Sequence, residues 1–498
     1  MSGSNPDDPE QLLQTFIALA IAYYEEALRF STPEAAPLDY AMIQNNLGNA
    51  YRDLATGDRA ANLARAIACF EEALRFYTPD AAPLDYALTQ NNLGIAYQDL
   101  PTADRAANLA RTIACFEEAL RFYTPEAAPL DYARTQNNLG IAYVELPTGD
   151  RGADLARAIS CYAEALRFYT PEAAPLDYAR TQNNLGNAYR HLPTGDRAAN
   201  LAQAITCYEQ ALRFRTPEAA PLDYAATQNN LGNAYRESPT GERGANLARA
   251  IACYAETLRF FTPDAAPLDY ARTHINLGNA YTDLPTGDWG ANLARAIACY
   301  EEALRFLAAP LDYARTQNNL GITYADLRTG DRAANVARAI ACYEQALRFY
   351  TPVAAPLDNA AIQNNLGNAY RDLPTGDRAA NLAQAIACYA EALRFFTPEA
   401  APLNYAMTQH NLGAAYWQLP TGDRAANLAR RSPASRRPCA SPPQRPCRLA
   451  IARQPKAWAI CTSANGTGRR RTPPWPAPSW HRTLCTWRRL PMSLARPN

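Results

Sequence analysis

Apolar residues recur along this chain with the spacing of one buried helical face, and they do so in two alternating patterns. From Pro37 onward, Tyr40, Ile43, Leu47, Ala50 and Tyr51 fall on one side of a helix running to about Leu54. Proline suits its first turn, where a backbone N–H would be unpaired anyway. From Arg59 to about Tyr77, Leu63, Ala66, Ile67, Phe70, Ala73 and Leu74 predict a second helix. The stretch between them, Ala55-Thr56-Gly57-Asp58, reads Pro-Thr-Gly-Asp in most other copies and breaks the helix. Asp58 then offers a carboxylate to the free N–H groups of the second helix, a cap worth about 1 kcal/mol. Thr78-Pro79 ends the pattern, and Ala81-Ala82 leads into the next.

The two-helix phrase repeats. Leu47-Gly48 returns as Leu93-Gly94, Leu139-Gly140, Leu185-Gly186, Leu231-Gly232, Leu277-Gly278, Leu320-Gly321, Leu366-Gly367 and Leu412-Gly413, nine copies in all. Successive glycines are 46 residues apart, except for the 43 from Gly278 to Gly321, where Leu307-Ala308-Ala309-Pro310 lacks part of the linker. A period of this size predicts a stacked-repeat architecture, in which added length adds units rather than separate cores. The resulting division is a disordered lead-in over 1–8, an orphan capping helix within 9–36 and a solenoid over 37–430, its ninth unit incomplete. A basic Pro/Arg-rich tail, read as disordered, fills 431–498. The orphan helix, expected from Pro9 to Phe30, ends in Tyr24-Glu25-Glu26-Ala27-Leu28-Arg29-Phe30, the wording of the second helix in later units.

Leu47-Gly48 preceding Tyr51, with Ala66, Phe70 and Ala73 on the second helix, resembles the tetratricopeptide repeat. Gln44 stands where that pattern usually has tryptophan, and the turn through Thr56-Gly57-Asp58-Arg59 is longer. Those departures, with Asn-Asn before Leu-Gly, look like the long repeats of kinesin light chains and of bacterial arrays attached to caspase-like CHAT domains. The resemblance covers about residues 10–430. It implies an all-α fold, a right-handed superhelical solenoid of antiparallel helix pairs whose first helices line a concave groove.

Charge changes the picture only when divided. Residues 431–498 hold 14 Lys plus Arg and no acid, so residues 1–430 carry 34 basic and 48 acidic groups, a net charge of −14. An acidic body argues against nucleic acid as partner. The tail breaks the repeat inside a helix, after Leu428-Ala429-Arg430. Permitted codons for Arg431 to Cys447, read one base earlier, can yield Ile-Ala-Cys-Phe-Glu-Glu-Ala-Leu-Arg-Phe-Ser-Thr-Pro-Glu-Ala-Val-Pro, the missing repeat. The tail is therefore read as frameshifted, which leaves the last hairpin uncapped and open to self-association. Eight cysteines sit one per unit and read as small buried thiols. No close-spaced metal ligands occur, so neither metal nor cofactor is expected. The apolar run Phe16 to Ala22 is too short to span a bilayer, and with no leader-like start the expectation is a cytoplasmic protein without membrane partners.

No catalytic constellation stands out. The four histidines, His191, His274, His410 and His481, lie in different units, His191 at a position expected to be exposed, and Glu71-Glu72 and its copies read as a solvated face. The asparagines do stand out. The resemblance places those around Leu-Gly along the groove: Asn45, Asn91, Asn137, Asn183, Asn229, Asn318 and Asn364 before it, and Asn49, Asn187, Asn233, Asn279 and Asn368 after it. Amides can donate to and accept from a peptide backbone without reading its side chains. The first series can equally bond within the array, stapling neighbouring hairpins. One turn on lie Arg52, Arg190, Arg236 and Arg371, whereas other units have Val144, Ala325 or Trp417, and the second-series positions also include Ile95, Ile141, Ile322 and Ala414. The expected function is a non-catalytic scaffold holding a protein or extended peptide in the groove. The alternative is the sensor half of a larger CHAT-like enzyme whose effector lies beyond the frame break.

Overall fold

The structure, a computed structural model, describes residues 9–419 apart from 102, 103 and 148. The lead-in, the tail and the frame-break reading attached to it lie outside the described residues. Among the described residues every regular element is an α-helix, and they fall into two compact units that divide after Gly330.

Unit 1 opens with the lone helix α1 (Pro9–Ala27). Six hairpins follow: α2 (Pro37–Asp53) with α3 (Arg59–Ala73), α4 (Pro83–Asp99) with α5 (Arg105–Ala119), and α6 (Pro129–Glu145) with α7 (Arg151–Ala165). Then come α8 (Pro175–His191) with α9 (Arg197–Leu212), α10 (Pro221–Glu237) with α11 (Arg243–Thr257), and α12 (Pro267–Asp283) with α13 (Trp289–Leu304), before α14 (Pro310–Asp326). Unit 2 holds α15 (Arg332–Leu347), the hairpin α16 (Pro356–Asp372) with α17 (Arg378–Ala392), and α18 (Pro402–Gln418). In unit 1 each helix packs on the next. First helices of adjacent hairpins also touch, α2 with α4 and so on to α10 with α12, whereas no two second helices are among the closely packed pairs of described residues.

First helices begin at the proline and end within a residue of the expected point. Second helices stop near Ala73 rather than Tyr77. Arg75 N–H there donates to Glu72 O at 3.2 Å and Phe76 N–H to Ala73 O at 3.1 Å, so the chain tightens before Tyr77 N–H closes back on Ala73 O at 2.9 Å. Thr78, held extended by Pro79, cannot continue the helix, and the tight turn drives Tyr77 onto Ala41 and Ala73. The lone helix likewise ends at Ala27, short of Phe30.

The interhelical turn is closed three times over. Gly57 takes φ +80°, which favours glycine. Asp58 Oδ1 accepts from Ala60 N–H at 2.9 Å and Ala61 N–H at 3.2 Å, the expected cap. Asn62 Nδ2 donates to Leu54 O at 3.2 Å and Thr56 O at 2.9 Å, and the Arg59 guanidinium donates to the Arg52 carbonyl at the end of the first helix. Those last two bonds recur in most units and satisfy carbonyls that a helix end leaves orphaned.

The core of each hairpin is one ring against one glycine. A Cβ built on Gly186 would lie 2.7 Å from Cε1 of Tyr208, and on Gly48 2.6 Å from Cε1 of Phe70. Tyr208 and Phe70 are fully buried. Replacing Gly186 by Leu must push the ring or the helix aside, and overpacking of this kind costs about 1–3 kcal/mol. A lowered thermal midpoint with amide exchange accelerated in α8 and α9 is the expected outcome; an unchanged midpoint would show that the hairpin does not depend on this approach.

Candidate functional site

The first asparagine series points into the seam between hairpins. Asn137 is 1% exposed, and its Oδ1 accepts from Thr181 Oγ1 at 3.2 Å and from Asn184 Nδ2 at 3.3 Å. Asn45 receives Thr89 and Asn92, Asn91 receives Thr135 and Asn138, and Asn364 receives Thr408 and Asn411 in the same way. Asn183 and Asn229 accept from Asn230 and Asn276, each at 3.1 Å. Asn318 is buried as well. The donor is thus the second Asn of the following hairpin. Where Ile275 removes the acceptor, Asn319 Nδ2 reaches Asn279 Oδ1 instead, at 3.4 Å. These amides are committed to their neighbours, as the stapling alternative requires.

The second series lies nearer the surface and closes on the ring of its own hairpin. Tyr208 OH donates to Asn187 Oδ1 at 2.7 Å, and Tyr254, Tyr300 and Tyr389 donate to Asn233, Asn279 and Asn368 at 2.8 Å. Asn49 has no such donor opposite it, because that ring is Phe70. All but Asn233 remain half-buried rather than sealed. Burial pushes the Tyr254 hydroxyl up to about 12, with Arg236 pulling the other way, so it stays a neutral donor.

The arginines one turn on extend this polar strip. Arg190 Nη1 lies 3.0 Å from Glu237 of the next hairpin, whose other oxygen takes Arg197 Nη2 at 2.7 Å. Arg236 and Arg243 share Asp283 at 4.0 and 3.7 Å. Arg52 and Arg371 turn Nε to the adjacent Asp53 and Asp372 at 2.9 and 3.1 Å. The buried Nε of Arg190 and of Arg236 has no hydrogen-bond partner among the described residues. Two strips therefore alternate along unit 1: half-buried Ile95, Ile141 and Val144, then Asn187, Arg190, Asn233 and Arg236.

Several residues carry more than the sequence suggested. Glu71 and Glu72 are acceptors rather than a merely solvated face: Tyr97 OH, from the next hairpin, donates to Glu71 at 2.8 Å, and Tyr40 OH to Glu72 at 3.5 Å. The inter-hairpin Tyr–Glu bond recurs for Tyr51, Tyr143, Tyr235, Tyr324 and Tyr370. Its signal was legible as a Glu placed 26 residues before a Tyr in most units, replaced by Ala163, Ala255 and Ala390 ahead of Tyr189, Tyr281 and Tyr416. His191 is half-buried, not exposed, with Nε2 2.9 Å from Arg190 Nη2. The eight described thiols are half-buried or buried, and burial raises Cys115 to about 12, with Glu71 adding to it. They are poor nucleophiles at neutral pH. No group of three or more His, Cys, Asp or Glu suited to a metal ion occurs among the described residues, and no described helix is long and apolar enough to cross a membrane.

His274 replaces the glutamine that elsewhere donates to a tyrosine hydroxyl, as Gln228 does to Tyr224 at 3.1 Å. Its ring packs edgewise on Tyr270 at 4.5 Å, and its buried Nδ1 has no partner among the described residues. Burial holds the imidazole below its ordinary range, although Glu302 acts the other way. An unfolded histidine titrates near about 6.5, so as pH falls through that value the unfolded chain takes up a proton that the folded chain resists. This site is neutral to stability above that pH and destabilising below it. The His274→Gln chain should lose less stability than its parent between about pH 7 and pH 5, followed by thermal melts; identical acid losses would exclude the effect.

No family model matches the sequence, and no curated protein does. Among solved structures, the apo form of RapI is similar at 12% identity and a TM-score of 0.43, over 82% of this chain and 99% of its own. A Rap protein complexed with competence and sporulation factor is similar at 13% identity and a TM-score of 0.40, over 79% and 100%. The C-terminal part of a TPR repeat-containing protein from Cytophaga hutchinsonii is similar at 15% identity and a TM-score of 0.37, over 59% and 94%. What assigns the fold is internal: in hairpin after hairpin the Leu-Gly of a first helix receives the aromatic ring of the second, and each hairpin leans on the next. The described chain is a tandem array of tetratricopeptide-type helix pairs.

Proposed function

We propose that the array is a non-catalytic scaffold that holds an extended segment of a partner protein along its first helices. The observation that carries this reading is the polar strip of half-buried Asn187, Arg190 and Arg236 with buried Asn233, borne on the successive first helices α8 and α10, which touch one another. Crowded first helices and separated second helices are what an inner wall requires. The Arg190 and Arg236 side chains are partly exposed, and guanidinium groups at such a wall can pair with a partner's carbonyl or carboxylate. Ahead of them, Ile95, Ile141 and Val144 offer apolar contact, so the favoured segment is apolar at one end and polar or acidic at the other. The first asparagine series, from Asn45 to Asn364, contributes indirectly by fixing the spacing between hairpins.

Truncating the asparagines would also unpair Tyr208 and Tyr254, so the arginines give the cleaner test. A peptide selected from a displayed library on the full chain should bind the Arg190→Gln, Arg236→Gln double variant about tenfold more weakly, a difference of about 1.4 kcal/mol. A control pair, Arg75→Gln with Arg121→Gln, removes two exposed arginines from second-helix ends and should leave binding unchanged. Fluorescence anisotropy reads both. Equal affinity in both pairs would place the binding surface elsewhere.

A further inference from the structure

The two terminal described helices are the separated halves of one hairpin. Aligned at the 46-residue period, α1 is a second helix: Tyr24 corresponds to Phe70, Glu26 to Glu72 and Phe30 to Phe76. The other end, α18, is a first helix carrying Leu412-Gly413, with Tyr405 in the place of Tyr40. Each lacks, among the described residues, the half that every hairpin supplies.

Three observations show both faces open among the described residues. Tyr24 is only half-buried, whereas Phe70, Phe116, Tyr208 and Tyr254 at the same position are fully buried. Phe30 is 77% exposed, whereas Phe76 packs edgewise on Tyr40 at 5.5 Å. A Cβ on Gly413 would meet nothing described within 4 Å, whereas on Gly367 it would lie 2.6 Å from Tyr389.

The open face of α1 has, moreover, been made more apolar than a second helix normally is. Arg65 of α3 lies over the Tyr51 ring of its own first helix, and Cys69 lies close enough to that tyrosine to influence its ionisation. The corresponding positions of α1 are Leu19 and Tyr23, 49% and 68% exposed. A helix that ends a stack against water carries a polar outer face; this one carries the surface of a helix awaiting its partner.

We infer that α18 of one copy docks on α1 of a second copy, completing a hairpin between molecules. The array itself is the template: Gly413 receives the Tyr24 ring, Tyr405 meets Phe30 edge-on and donates to Glu26, and Leu19 and Tyr23 cover Tyr416. Because two different surfaces meet, each docked copy keeps one unused end, so the contact can recur head to tail.

Sedimentation velocity of the full chain tests this. The parent should form species whose mass grows with concentration. Gly413→Leu fills the receiving notch and Leu19→Glu with Tyr23→Glu charges the donor face; all three positions are open, so helix content by circular dichroism should hold. Each variant alone should be monomeric. Mixed in equal amounts they should stop at dimers, since each keeps one working end. A parent that is monomeric throughout, as it would be were its own later residues to cover α18, overturns the inference. So does continued growth in either variant, or a mixture that stays monomeric.

Discussion

Every hairpin is set by the approach of an aromatic ring to a glycine. With Cε1 of the ring 2.6–2.7 Å from where a Cβ would stand, no other residue fits without displacing something, and the helix separation follows from that contact. The separation then decides what else can touch. It brings the Tyr208 hydroxyl to Asn187, the residue next to Gly186, so a packing constraint fixes the orientation of a half-buried amide. Where the ring is Phe70 the same separation holds and the hydroxyl is missing, which shows that the contact is primarily steric.

Identical units raise a second problem, because apolar faces alone would allow neighbouring hairpins to slide. Buried polar groups resist sliding, since an amide left without its partner in a dry seam costs about 1–3 kcal/mol. Asn137 accepting from both Thr181 and Asn184 is satisfied in one register only. The seam beside α14 illustrates the rule by exception. There the acceptor has become Ile275, the linker is three residues shorter, and Asn319 finds Asn279. The polar tie moved rather than vanished.

The helices were legible because their apolar period and punctuation agree: Pro37 opens, Gly57 and Asp58 turn, and Thr78-Pro79 closes. Second helices were overestimated because Leu74 to Tyr77 keep a helical apolar pattern while the following proline forces a tighter turn, and periodicity cannot separate the two. The site was less legible. Whether an asparagine before Leu-Gly faces a ligand or the next hairpin depends on which side of the helix meets α4 rather than α3, and one helix cannot report that. The Glu71 to Tyr97 bond joins residues of different hairpins, and its trace in sequence is a Glu 26 residues before a Tyr that no single helix pattern singles out. His191 was misjudged for a related reason: the neighbouring Arg190 folds across it toward Glu237, removing exposure that its place at a helix end suggested.

A wall whose polar groups are already bonded can still be a good receptor. Asn187 and Arg190 are held by Tyr208 and Glu237, so on the proposed reading their remaining donors and lone pairs are aimed before any partner arrives, and little side-chain freedom is lost on binding. The residues that build the frame, glycine, ring and first asparagine, barely vary between units and so cannot distinguish one stretch of a partner from the next. Discrimination must come from positions that the frame leaves free. Those are the ones that change, from Ile95 and Ile141 to Asn187 and Asn233, and from Val144 to Arg190 and Arg236. Rigidity and selectivity are thereby assigned to different residues of the same turn, which lets the array alter what it holds without altering how it folds.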